Sequence, residues 1–418
     1  MANLRTDLGN VSLRNPFHAA SHAPVANLTP REHAGQLARY VERGAAAVST
    51  AYTTITRERP ADSKPRGRTM RAESKPPFGR EGFFLICSTY DIISYLDETL
   101  ELIRHLEEMV DVPIIGNIVG PGADASGWTQ LGKIFEEAGA SILELNVSCP
   151  VVDIPHGLES WADDLPKDAG VMLGQLPELT REVTRAVVDA VDIPVLVKMT
   201  PEVGYPMLLS VAQKIQEGGA KGITVINAPI SVAPPDIYNH GKPRFQAIDR
   251  YTFGGAYGPW DRFLAYKFIT ALAKNFPDLD ISAVGGNVDP EHSVEFFMLG
   301  AKTVQLSSAV LWRGPNIISK NIKFLERLMD EQGYENLDAL RGEALRYIVP
   351  LSQVDFGDAH AMIDPELCNG CGTCTRILCR AMDIKDGLAV CNEEKCSGCG
   401  FCAMFCEEGA INILRESP

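Results

Sequence analysis

Along residues 1–350, short apolar runs alternate with longer stretches whose apolar positions return every three or four residues. The runs are PFHAAS, AAAVSTA, VPIIGNI, SILELNV, IPVLVKM, GITVIN, LDISAVGG and KTVQLSS, eight in all and rich in β-branched residues or Ala. Runs without polar alternation predict strands buried on both faces, as in a parallel sheet covered by helices. The stretches between them, such as TQLGKIFEEAGA and PELTREVTRAVVDAV, carry the helical period. Three helix ends share one punctuation, EEAGA, QEGGA and FMLGA, where Gly supplies a left-handed exit into the next strand. Eight strand–helix units over some 350 residues predict an α/β fold, a (β/α)8 TIM barrel. A doubly wound dinucleotide-binding sheet is the alternative, but no G-x-G-x-x-G follows the first strand.

Three stretches break the alternation with Pro, Gly and charged residues: 57–84, 151–173 and 228–257. Each leaves the C-terminal end of a strand, the face on which barrels assemble their sites, and each is predicted as an irregular loop. Helical patterns from Asn316 to Tyr347 close a barrel domain of residues 1–350. A linker from Val349 to His360 opens a second domain, residues 351–418.

That second domain holds nine of the eleven cysteines. Cys368-x2-Cys371-x2-Cys374 is followed by Cys396-x2-Cys399-x2-Cys402-x3-Cys406. Soft thiolates at this spacing wrap a cubane cluster, with three from one loop and the fourth from the opposite half. By that logic Cys368, Cys371, Cys374 and Cys406 hold one 4Fe–4S cluster, and Cys396, Cys399, Cys402 and Cys379 hold a second. The expected domain is therefore ferredoxin-like. Cys379 stands four residues after Cys374 where the bacterial run has three, and neither fourth cysteine precedes Pro. Cys391 is the competing fourth ligand; the order of the run favours Cys379.

Composition narrows the class. Lys+Arg 39 against Asp+Glu 54 gives a net charge of −15, and no basic run accompanies it, so nucleic acid is not an expected partner. No stretch reaches the roughly 20 apolar residues of a membrane span, and the first residues lack a basic start and apolar core. A cytoplasmic protein is expected, and the thiol crowding then points to metal and not to disulfides.

The strand ends carry polar or small residues around one mouth. They are Glu144-Leu145-Asn146-Val147-Ser148-Cys149-Pro150 after the fourth strand, Val197-Lys198-Met199-Thr200-Pro201 after the fifth and Asn227 after the sixth. Gly285-Gly286-Asn287 follow the seventh and Ser307-Ser308 the eighth. Gly-Gly permits close backbone approach to a phosphate, which barrels often bind after their last two strands. A Lys at a strand tip can stabilise negative charge on a reduced cofactor.

In this order the N-V-S-C-P, K-M-T-P and A-V-G-G strings resemble the dihydroorotate dehydrogenase and dihydropyrimidine dehydrogenase family over essentially the whole chain. The resemblance is nearest to the FMN and C-terminal iron–sulfur portion of dihydropyrimidine dehydrogenase. It implies FMN at the mouth, with Ala20 and Ser21 lining the flavin and Asn117 and Asn146 touching flavin or substrate. It further implies Lys198 at the pyrimidine edge of the ring, and Gly258, Gly285, Gly286, Ser307 and Ser308 around the phosphate. Asn227 and Thr89 would bond substrate. Cys149 would be the general acid/base, moving a proton at one carbon while hydride passes between flavin N5 and its neighbour. A thiol of pKa roughly 8.5 suits that task near neutrality.

This sequence departs from the family at the second strand, where Ser49-Thr50-Ala51-Tyr52 stands in place of a T-K-T-like string. Lighter candidates are His18 and His22 beside the first strand tip, His156, the six Arg and two Lys of Arg57–Arg80 as an anion or partner site, and Tyr238, Tyr251 and Tyr257 as pocket walls. Cys87 has no partner spacing and reads as core.

The expected activity is an oxidoreductase acting on an activated C=C or CH–CH bond of a small cyclic substrate. Its electrons would pass through two 4Fe–4S clusters to ferredoxin or an NAD(P)H-oxidising flavoprotein subunit, within an oligomer. The alternatives are a dihydropyrimidine dehydrogenase catalytic subunit acting on uracil or thymine, and an electron-transfer subunit without substrate chemistry of its own.

Overall fold

Each of the eight apolar runs supplies one strand of a closed parallel barrel. The strands are β1 (Phe17–Ala19), β2 (Val48–Ser49), β3 (Ile114–Ile118), β4 (Ile142–Asn146), β5 (Val195–Lys198), β6 (Gly222–Val225), β7 (Asp280–Ala283) and β8 (Thr303–Leu306). Each pairs with its successor, and Val304 of β8 closes onto Phe17 of β1. The structure, a computed structural model, describes residues 2–21, 28–55, 68–73, 83–87, 94–120, 122, 124–148, 173–245, 249–250 and 254–415, with 68–73 and 83–87 described by backbone alone. The chain divides into two units, Met1–Tyr347 and Ile348–Pro418.

The barrel's helices are α1 (Pro30–Glu42), α2 (Leu96–Met109), α3 (Ala125–Glu137), α4 (Pro177–Val188), α5 (Met207–Glu217), α6 (Arg262–Asn275), α7 (Pro290–Met298) and α8 (Asn316–Gln332). Helix α1 starts at a capping box: Thr29 Oγ1 accepts from Glu32 N at 3.3 Å, and Glu32 Oε2 accepts from Thr29 N at 2.8 Å. Between sheet and helices lie the fully buried rings of Trp128, Phe135, Phe268, Phe296 and Phe297. Each stabilises the unit by roughly 1.5–3 kcal/mol relative to exposure. The glycine punctuation has its expected cause, for Gly139, Gly219 and Gly300 adopt φ of 103°, 91° and 112°.

Stretch 57–84 departs from its reading as an irregular loop. Arg68–Glu73 and Phe83–Cys87 are antiparallel strands, and the second pairs with Gly254–Tyr257, which pairs with Ile230–Ser231. Stretch 228–257 is likewise not wholly irregular, since Pro235–Asp236 and Lys242–Pro243 form a hairpin besides these strands. Local Pro, Gly and charge content hid a hairpin whose second strand, Phe83–Cys87, also pairs with a strand from a different excursion of the chain. Stretch 151–173 lies outside the described residues except for its last position.

The second unit is a repeat. One ribbon pairs Ala359–Ile363 with Ile411–Arg415, the other Met382–Lys385 with Leu388–Cys391. Each Cys-x-Gly-Cys-Gly-x-Cys loop turns on left-handed glycines, Gly370 and Gly372 in one, Gly398 and Gly400 in the other. Among the described residues no helix is long and apolar enough to cross a membrane.

Candidate active site

Inside the barrel an apolar layer with Ile115, Ile142 and Leu196 gives way, two residues further along these strands, to polar inward positions. Glu144 of β4, fully buried, accepts from Asn117 Nδ2 on β3 at 2.5 Å, Thr224 Oγ1 on β6 at 2.5 Å and Gln305 Nε2 on β8 at 3.0 Å. Three donors offset the desolvation that an unpaired carboxylate would suffer there. Gln305 Nε2 also donates to Ser282 Oγ at 3.1 Å, and Thr303 Oγ1 donates to the same oxygen at 2.9 Å.

His18 closes this network from β1, its Nε2 3.1 Å from Ser282 Oγ and 3.3 Å from Thr303 Oγ1. Burial takes its pKa down to about 4 against the opposing pull of the Glu144 charge, so the ring is neutral. Its Nδ1 has no hydrogen-bond partner among the described residues. His18, a light candidate for facing flavin or substrate, is instead structural: strand alternation turns Phe17 and Ala19 to the helices and His18 into the fully enclosed interior.

The network rises to the mouth through β4. Asn146, two residues beyond Glu144, donates through Nδ2 to Asn117 Oδ1 at 3.4 Å. Its Oδ1 accepts from Ser148 Oγ at 3.1 Å and from Asn227 Nδ2 at 3.3 Å. Asn227 also donates to the Ser148 carbonyl at 3.0 Å. Asn117, expected to touch flavin or substrate, is fully buried, its amide engaged between Glu144 and Asn146.

Lys198 pairs in register with Asn146 across β4 and β5, placing both at the barrel's C-terminal rim. The lysine is 5% exposed and has no hydrogen-bond or ion-pair partner among the described residues. A desolvated ammonium without a partner is costly, and an anionic or acceptor-rich group at the mouth would offset that cost. At the β1 tip Ala20 is buried, and the buried Ser21 Oγ has no partner among the described residues. Position 2 of the barrel offers no cation: Ser49, Thr50, Ala51, Tyr52 and Thr53 are all buried there.

After β7, Gly285 and Gly286 adopt φ of 122° and 70°. A β-carbon on Gly286 would lie 2.4 Å from Arg262 N and 2.9 Å from the carbonyls of Gly258 and Pro259. The β7 tip therefore rests directly against the turn into α6, where Gly258 is in extended conformation. Asn287 Nδ2 donates to the Gln305 carbonyl at 3.3 Å, tying this tip to β8, which runs into Ser307 and the short helix Ser308–Arg313. Tyr257 stacks on Trp312 at 6.4 Å, whereas Tyr238 is 93% exposed.

Sequence reasoning missed Glu144, Gln305 and Asp261. Asp261, 2% exposed, approaches Gly285 and has an unpartnered Oδ1 among the described residues; burial pushes its carboxyl well above the usual range. For Glu144 a signal existed, a single acidic residue inside a wholly buried run. Cys149, Thr89, His22, His156 and Tyr251 lie outside the described residues, as does the Cys87 side chain.

In the second unit one pocket is lined by Cys368, Cys371, Cys374 and Cys406. Backbone amides point at sulfur: Ala389 N donates to Cys368 Sγ at 3.4 Å, Ala410 N to Cys406 Sγ at 3.3 Å and Gly398 N to Cys396 Sγ at 3.5 Å. Cys402 is buried, and Cys379, Cys391 and Cys396 pack around the same small core. Leu378, left-handed at φ 56° and 89% exposed, takes up the extra residue before Cys379.

The dihydroorotate dehydrogenase family model matches residues 3–329, and a 4Fe-4S binding domain model matches 392–412. The chain is similar to the NAD-dependent dihydropyrimidine dehydrogenase subunit PreA of Escherichia coli, 31% identical over 284 residues, 67% of this chain. It spans 65% of that relative's length. The catalytic subunit of dihydroorotate dehydrogenase B (NAD(+)) from Methanothermobacter thermautotrophicus is 29% identical over 350 residues, covering 82% of this chain and 98% of that one. Its counterpart from Methanocaldococcus jannaschii is 30% identical over 321 residues, covering 76% and 90%.

Proposed function

Because this chain belongs to the dihydroorotate dehydrogenase family, we propose that it is an FMN- and iron–sulfur-dependent oxidoreductase that reduces or forms an activated C=C bond of a small cyclic substrate. Family membership implies FMN, and the 4Fe-4S motif implies a cluster. The observation that carries the reading is Lys198, a buried ammonium without a partner among the described residues, at the rim that also carries the Gly285–Gly286 bend. The donor set suits FMN, since the ring's pyrimidine edge takes negative charge on reduction and the phosphate needs close backbone.

FMN, when bound, supplies hydride transfer at N5. Lys198 holds charge at the pyrimidine edge, and Ala20 and Ser21 line the ring. Gly258, Gly285, Gly286, Ser307 and Ser308 surround the phosphate. Asn146, Asn227 and Thr89 orient the substrate, and Cys149 Sγ moves the proton at the carbon next to the hydride site. Asn117 contacts flavin or substrate beside Asn146. Cys368, Cys371, Cys374 and Cys406 ligate one cluster, and Cys396, Cys399, Cys402 and Cys379 a second, through which electrons reach a ferredoxin or an NAD(P)H-oxidising flavoprotein subunit. The protein acts in the cytoplasm, as an oligomer.

Similarity to a dihydropyrimidine dehydrogenase subunit supports a narrower version, with uracil or thymine as substrate and a separate flavoprotein partner. The cation-free β2 tip supports the contrary version, an electron-transfer subunit without substrate chemistry. Anaerobic purification is expected to yield FMN and about eight iron atoms. Uracil, thymine or a cyclic enone should then reoxidise the reduced flavin of the wild type faster than that of Cys149→Ala. If none does, the substrate chemistry is lost and the electron-transfer version replaces it.

A further inference from the structure

We infer that Thr373 is a positioning residue acting through Cys371: its hydroxyl donates to the Cys371 sulfur and raises the reduction potential of the first cluster. Its counterpart in the repeat, Phe401, gives the second cluster no such donor. The inference rests on the cluster reading above and adds a residue that this reading leaves without a role.

The two cysteine loops correspond residue by residue, Cys368-Asn369-Gly370-Cys371-Gly372-Thr373-Cys374 with Cys396-Ser397-Gly398-Cys399-Gly400-Phe401-Cys402. Their backbones match as well, with Gly370 and Gly372 at φ 70° and 72° and Gly398 and Gly400 at 64° and 79°. So do the thiols: Cys371 and Cys399 are exposed, and Cys374 and Cys402 are buried. Solvent access at these positions therefore does not tell the two loops apart. What differs is the side chain ahead of the third cysteine. Thr373 Oγ1 lies 3.4 Å from Cys371 Sγ, whereas Phe401 offers a ring without a donor, 55% exposed.

A thiolate that binds iron has no proton to give, so in this pair the hydroxyl is the donor. Its hydrogen bond draws density from sulfur and stabilises the reduced, more negative cluster more than the oxidised one. Backbone donors reach sulfur in both loops, from Ala389 and Ala410 in one and Gly398 in the other, and a change of side chain leaves them in place. Glu408 lines the same pocket and accepts from Asn369 Nδ2 at 2.9 Å, and its charge opposes electron uptake. The order of the two potentials thus has several causes, and the hydroxyl is read by the shift that follows its removal. Thr375 supplies the comparison in the same turn, because its Oγ1 donates to the Gly372 carbonyl at 2.8 Å and not to sulfur.

The test is an anaerobic redox titration of the full-length holoenzyme followed by electron paramagnetic resonance. Thr373→Val should shift one cluster's midpoint downward and leave the other in place. Thr373→Ser, which keeps the hydroxyl, should stay near the wild-type value, and Thr375→Val should move neither midpoint. Thr373→Ala repeats the comparison if the valine variant loses its cluster. Unmoved midpoints in the valine and alanine variants, or an equal shift in Thr373→Ser or Thr375→Val, would overturn the role. Wild-type protein without inorganic sulfide would instead remove the cluster reading, and with it this inference, before any variant is compared.

Discussion

Gly286 and the backbone nitrogen of Arg262 approach so closely that a β-carbon on the glycine would stand 2.4 Å from that nitrogen. Neither side can yield cheaply, because the neighbour is the first turn of α6 and Gly286 is itself left-handed at φ 70°. Gly286→Ala should cost about 1–3 kcal/mol of stability by overpacking. It should also release FMN, read as a lower flavin-to-protein ratio after gel filtration. An alanine variant that keeps both full flavin and its melting temperature would show that the bend has slack.

The buried His18 predicts an acid-sensitive barrel. Its folded pKa of about 4 lies below the ordinary histidine value of 6.5, so the unfolded chain takes up the proton first. Stability is therefore complete above the unfolded value and falls as pH drops toward the folded one, by up to roughly 3 kcal/mol at ~1.4 kcal/mol per unit. Melts from about pH 7 to about pH 5 should show His18→Leu, a non-titrating replacement, losing less stability than wild type across that window. Parallel slopes in the two proteins would assign the acid loss to other groups.

The tail predicts an asymmetry between two cysteines. Leu378 is turned to solvent, and Cys379 packs in the small core beside Cys396 and Cys402. Cys379→Ala should lower the iron content below about eight and alter one cluster's electron paramagnetic resonance signal. Cys391→Ala should keep about eight iron atoms. The reverse pattern would make Cys391 the fourth ligand.

Legibility followed the range of the interaction. Barrel strands were readable because both of their faces are buried, so each run is apolar by itself and needs no knowledge of its neighbour. Phe83–Cys87 is just as apolar, but its chain context of Pro, Gly and Arg reads as loop, and its partner Gly254–Tyr257 comes from a distant part of the chain. Lys198 was readable as a mouth residue from its place at a strand tip; that it lacks a counter-charge among the described residues was not.

From sequence alone came the order of eight strands, the left-handed glycine exits and the thiol spacing of the tail, all properties of residues a few positions apart. Tertiary structure decided that His18 and Asn117 face inward and are enclosed, that Asp261 is buried, and that Glu144 gathers donors 27, 80 and 161 residues distant. The physical reason is that hydrophobic period and covalent spacing are written locally. The cost of a buried polar group is not: it depends on which distant donors the closed barrel brings within hydrogen-bond reach.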